Sequence, residues 1–140
     1  MTRILTAALT TIVLAAWPVS AVELTCPKAR PPHDWQGFRV EPSRIRLLKE
    51  GEAPKSLGAV AMVSIFDGSP TEMADLVPDN PDSFGKEPLV WTLSDNMKHG
   101  VWIVCRYRNS TVAFGKAVPP GVRKCSVEGA PGKGFKIRCQ

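Results

Sequence analysis

The chain has 140 residues, with 18 Lys and Arg against 13 Asp and Glu, four cysteines and two histidines. That length supports one domain with a modest core. The two histidines lie apart, at His33 and His99, and no two cysteines are closer than the fourteen positions from Cys125 to Cys139. A zinc site built on close Cys pairs is therefore excluded.

The first segment reads as an export signal. Met1-Thr2-Arg3 gives a positive start, an uncharged run covers 4–17, Pro18 breaks it, and Val19-Ser20-Ala21 supplies small residues for cleavage. The pattern predicts a signal peptide over 1–21 and a mature domain over 22–140. The run is too short for a bilayer span, which needs roughly 20 apolar residues. No cysteine follows the cleavage point directly, so a lipid anchor is not expected. Losing Arg3 leaves 17 basic against 13 acidic residues, a net of +4. All four cysteines (Cys26, Cys105, Cys125, Cys139) lie in the mature part. An even cysteine count in an exported chain predicts disulfides, for which three pairings exist.

The thirteen prolines and eleven glycines cut the chain into short pieces, which favours strands over helices. Strands are expected at 22–25, 38–40, 45–48 and 57–66. Asp67-Gly68 then turns the chain. Ser69-Pro70-Thr71-Glu72 has the form of a helix start, with Ser as cap, Pro at the first helical position and Glu three residues on. A short helix over 70–76 is expected, ended by Pro78. Residues 78–88 read as an exposed loop.

Further strands are expected at 89–93, 101–107, 111–118, 122–127 and 135–139. A turn at Asn109-Ser110 sets Cys105 opposite Phe114 and Tyr107 opposite Val112, so apolar residues meet apolar residues. A hairpin centred on Gly132 sets Cys125 opposite Cys139 and Val127 opposite Ile137, within bonding reach for the cysteines. Cys26 and Cys105 are then left to pair; Cys105 with Cys125 has no comparable spacing. The expected fold is all-β, a small antiparallel sandwich or barrel of seven to nine short strands with one short helix and two disulfides.

Little in the chain points to catalysis. Neither histidine sits in a nucleophile motif, and oxidised cysteines are not nucleophiles. No calcium-loop pattern and no phosphate-binding glycine loop is present. No catalytic residue, metal or cofactor is expected. Trp35 is the tryptophan of the mature domain expected to be exposed, with Trp91 and Trp102 in or near the core. Charge is uneven: residues 67–95 hold seven acids and one base, and residues 96–140 hold nine bases and one acid. Such asymmetry suits a charged partner. Nucleic acid is not expected, because no nucleic-acid-binding signature is present. Asp67, Glu72, Asp75 and Asp79 are the candidate partner-binding residues, grouped around the expected helix.

Several segments carry a family resemblance. They are Thr25-Cys26-Pro27, Trp35-Gln36-Gly37-Phe38, the block from Ile65-Phe66-Asp67-Gly68-Ser69-Pro70 to Leu76-Val77-Pro78-Asp79, and Trp102-Ile103-Val104-Cys105-Arg106-Tyr107. Together they resemble an uncharacterised family of short exported two-disulfide proteins of Gram-negative bacteria. Ser69 departs from the second proline that relatives often carry there. The family is similar in size and disulfide content to periplasmic lysozyme inhibitors and to immunity proteins against wall-targeting toxins. The resemblance implies a non-enzymatic periplasmic or secreted protein that binds and blocks a wall-acting enzyme or toxin. The alternative is an envelope accessory protein that binds wall or outer-membrane components through its basic last third.

Overall fold

The computed structural model describes residues 20–28, 30–95, 97 and 99–140. Apart from its last two positions, the signal peptide expected over 1–21 lies outside the described residues. Ten strands follow: β1 (Val22–Thr25), β2 (Gln36–Glu41), β3 (Arg44–Leu47), β4 (Val60–Asp67), β5 (Asp75–Leu76), β6 (Leu89–Thr92), β7 (Val101–Tyr107), β8 (Val112–Ala117), β9 (Lys124–Ala130) and β10 (Gly134–Cys139). They form a four-stranded sheet ordered β1-β10-β9-β6 and a six-stranded sheet ordered β3-β2-β8-β7-β4-β5. Every pairing is antiparallel. The domain is all-β, as the short Pro- and Gly-punctuated pieces imply.

The strand periodicity of two decides where the core lies. Ile103, Cys105 and Tyr107 of β7 point toward the four-stranded sheet, with Ile65 and Val63 of β4 alongside. They meet Trp91, Cys125, Val127, Phe135 and Ile137 from the other sheet. The alternate residues of β7 are also covered. Val104 packs with Phe38, Ile45, Phe66 and Ala113 in a second cluster, and Trp102 lies against its margin. Phe38 and Trp102 meet edge to face, with ring centroids 5.9 Å apart. The six-stranded sheet curls around this cluster until β3 approaches the turn at Pro70–Glu72, giving a half-barrel. Each buried Ile or Phe contributes roughly 1.5–3 kcal/mol, so both faces of β7 matter to stability.

Both hairpin registers follow the sequence pattern. Cys105 faces Phe114, Cys125 faces Cys139, and Val127 faces Ile137. The disulfides are Cys125–Cys139, which spans β9 and β10 within one sheet, and Cys26–Cys105, which ties the end of β1 to β7 across the two sheets. Two disulfides belong to an oxidising compartment.

The segment after Gly68 differs from the expected helix over 70–76. Only Pro70–Glu72 winds, as a 3-10 turn capped by the Ser69 side chain, and Met73 adopts a left-handed φ of 59°. That conformation ends the helix, and Asp75 and Leu76 then pair with Phe66 and Ile65 as β5. A Ser-Pro-x-Glu start is satisfied by one turn as well as by two, and the edge of β4 offers the next residues a ladder. Trp35, expected to be exposed, is half-buried against the main core.

The two disulfides close loops of different size, with separations of 79 and 14 residues. In the chain-entropy description the longer loop contributes about 1.5 kcal/mol more. Urea unfolding of Cys26→Ser/Cys105→Ser is therefore expected to show a larger loss than Cys125→Ser/Cys139→Ser, relative to the unaltered chain. Equal losses, or the reverse order, would contradict this.

Candidate functional site

The acidic block is built around the end of β4. Asp67 closes the strand, and its backbone N–H donates to the Ala74 carbonyl at 2.9 Å. One of its carboxylate oxygens is buried with no hydrogen-bond partner among the described residues. Gly68 follows with φ of +86°, and a Cβ there would come within 2.2 Å of Glu72 Oε2. Glycine is what lets the exposed Glu72 fold its carboxylate over the turn. Asp75 stands opposite Phe66 on the short β5. Burial around its carboxyl pushes its pKa up, and Arg106 pulls in the opposite direction. Asp79 is engaged in structure: its Oδ2 accepts from the Thr92 backbone N–H at 3.0 Å and from the Thr92 hydroxyl at 2.7 Å. The fold thus gathers Asp67, Glu72 and Asp75 where β4 hands over to β5, and uses Asp79 to hold β6.

Beside this block lies an apolar groove of about 610 Å³. Met62 of β4, Val77, Phe84, and Leu89 and Trp91 of β6 line it, together with Asp75. Three of its residues are large, apolar and well exposed: Met62 at 44%, Val77 at 76% and Phe84 at 46%. The lining is held in place by polar contacts. Asn80 donates to the Pro88 carbonyl at 2.9 Å and accepts from the Val90 N–H at 2.9 Å. Trp91 Nε1 donates to the Leu76 carbonyl at 2.8 Å. Sequence reasoning grouped the acids but missed the groove beside them. The available signal was an aromatic, Phe84, inside a Pro-rich segment otherwise read as exposed loop.

The basic last third is not one patch. Lys116 pairs with Asp34, Arg123 with Asp95, and Arg138 with Glu23 at 2.5 Å, with Lys136 close to the same carboxylate. Lys98 lies outside the described residues. On β2 and β3, Arg46 binds Glu52 through two contacts of 2.9 Å and also reaches Glu41, which pairs with Arg44 as well. Those carboxylates are matched by cations; of the acids from Asp67 to Asp95, Asp95 has Arg123 and Asp75 has Arg106 nearby, and Lys86 is the one base within that stretch of sequence.

The type VI secretion system Tli immunity protein family matches residues 53–140, more than half of the chain. The chain belongs to that family. The matched segment runs from just before β4 to the end of β10, so it contains the acidic block and the groove. Strands β1 to β3, and Cys26 with them, precede it. No curated protein and no solved structure is similar enough to the chain to count as a match.

The paired carboxylates give the domain a pH dependence of definite sign. Arg46, and then the Lys49 N–H, hold the Glu52 pKa down to about 2. Glu23, Asp34 and Glu41 are lowered in the same direction by Arg138, Lys116 and Arg44. A carboxylate depressed on folding contributes stability above its unfolded pKa, which for Glu is about 4.3, and loses it as pH falls toward the folded value. Urea midpoints are expected to drop between pH 5 and pH 2, and Glu52→Gln should make that drop shallower. Asp75 has the opposite sign, so Asp75→Asn is expected to leave stability at pH 7 unchanged or slightly raised. A Glu52→Gln profile that parallels the unaltered chain throughout would count against the pairing.

Proposed function

We propose that this chain is a periplasmic immunity protein that binds a type VI effector attacking the cell envelope, of the wall-acting enzyme class, and blocks it by occupying its surface. The observation that carries this reading is membership of the Tli immunity family over residues 53–140. The signal-like segment over 1–21 and the two disulfides support the compartment. The charge pattern supports the mode of action. An enzyme that works on an anionic polymer or an anionic surface gains from positive charge of its own. An acidic face on its inhibitor then steers the encounter and raises the association rate.

The natural probe is a type VI effector from the same organism, purified and titrated with the mature domain. The informative variant combines Glu72→Lys with Asp75→Asn. Lysine at 75 would set a second cation beside Arg106, whereas Asn removes the acid without that repulsion. The thermal midpoint is expected to stay close to that of the unaltered domain. Association is expected to slow by about tenfold at low salt, with the difference shrinking as salt screens it. Unchanged association at every salt concentration would remove the acidic block from the interface. Inhibition of peptidoglycan hydrolysis by the effector would support a wall-acting target. Neutralisation of an effector that leaves peptidoglycan intact but attacks phospholipid vesicles would keep the immunity reading and move the target to the membrane. Failure to bind would reject the immunity reading itself.

A further inference from the structure

The edge of β4 is only partly covered. β5 pairs with Ile65 and Phe66 alone, while β7 runs along the other side of β4 from Val60 to Asp67. After Leu76 the chain leaves the ladder: Pro78 has no N–H to donate, and the Asp79 N–H donates to the Val90 carbonyl of β6 at 2.7 Å. The first half of β4 therefore has a strand on one side only. The ladder fixes which groups this leaves open. The Asp67 N–H points toward Ala74 on the β5 side, and the alternation of an antiparallel pair directs Ile65 and then Val63 to that same side. Among the described residues no strand pairs with Val63 there.

Natural sheets usually guard such an edge with charged side chains, Pro or a bulge. A register shift between Val60 and Met62 interrupts only the start of β4. The open stretch itself, Ala61-Met62-Val63-Ser64, is uncharged. It runs along the groove, so a chain laid there would reach both the open backbone groups and the apolar walls at Met62, Val77 and Phe84.

We propose that the open edge of β4 takes up an extended segment of the effector as an added strand, an apolar stretch flanked by Lys or Arg. This rests on the immunity reading above and names the surface that performs it. Backbone hydrogen bonds to β4 would supply affinity, and the groove would select apolar side chains. The open edge has room for about four residues, at roughly 3.3 Å each. The charge of the flanks follows from the rim. Asp75 lines the groove with Arg106 near its carboxyl, and Asp82 and Glu87 lie in the same loop as Phe84, where Lys86 is the one base. Two copies of this chain paired edge to edge would bring their acidic rims together, which disfavours a second copy as the occupant.

The test uses the mature domain and the type VI effector that it neutralises. Amide exchange at Val63 is followed in the free domain and in the complex, and binding is measured for Val77→Lys/Phe84→Lys. Both altered residues are exposed, and the added cations would repel a basic segment. Expected are exchange at Val63 slowed by about tenfold or more in the complex and a dissociation constant raised about thirtyfold in the variant. If the variant loses its fold, exchange at Val63 in the unaltered complex decides alone. A complex in which Val63 gains no protection would overturn the added strand and leave the immunity reading standing. Absence of any complex would remove both. Self-association of the free domain that the double variant abolishes would assign the edge to a second copy and overturn the proposal.

Discussion

The bond between Cys26 and Cys105 is the constraint on which the two-sheet arrangement depends. Each sheet has its own ladder, but β1 belongs to one and β7 to the other, so this bond fixes the two against each other. It lies in the core, with both sulfurs' residues almost fully buried. Beside it the Tyr107 hydroxyl donates to the Pro27 carbonyl at 2.6 Å, and burial pushes the phenol pKa well up. A polar group in that position stabilises only while its partner is present. Sheet spacing is thus set where β1 meets β7. Along β4 the half-barrel is closed by the short β5 and the loop after it, and there it leaves a groove.

The parts legible in the sequence share one property: they are fixed by neighbours close along the chain. The hairpins at Asn109-Ser110 and around Gly132 have tight turns and alternating apolar residues, so register followed, and with it the Cys125–Cys139 bond and the remaining pair. The helix expected over 70–76 failed for a related reason. Its start signal was genuine, but the left-handed Met73 carries no signature, and the open ladder of β4 captured Asp75 and Leu76 instead. β9 also lies later than the 122–127 expected, because it follows β10 as far as Ala130.

The candidate site was legible as a run of charge and illegible as a surface. Asp67, Glu72, Asp75 and Asp79 stand out together in the sequence, but only contacts reveal that Asp79 is held by Thr92 while Glu72 lies over Gly68. The groove joins Met62, Val77 and Phe84, which are separated in the chain and each resemble ordinary core residues. The basic last third shows the converse. It looks like a patch when read along the chain, and the fold disperses much of it among ion pairs with Glu23, Asp34 and Asp95.

The two disulfides bear on where a domain of this immunity family acts. Disulfides form and persist in oxidising compartments, which suits the periplasmic role proposed above. The most direct measurement is survival of cells that carry a type VI effector bound by this domain, directed to their own periplasm. One set of cells makes the full chain and the other a chain without residues 1–21. The account predicts that the full chain restores growth and the shortened chain does not. Death of cells making the full chain, or equal rescue by the shortened one, would contradict it.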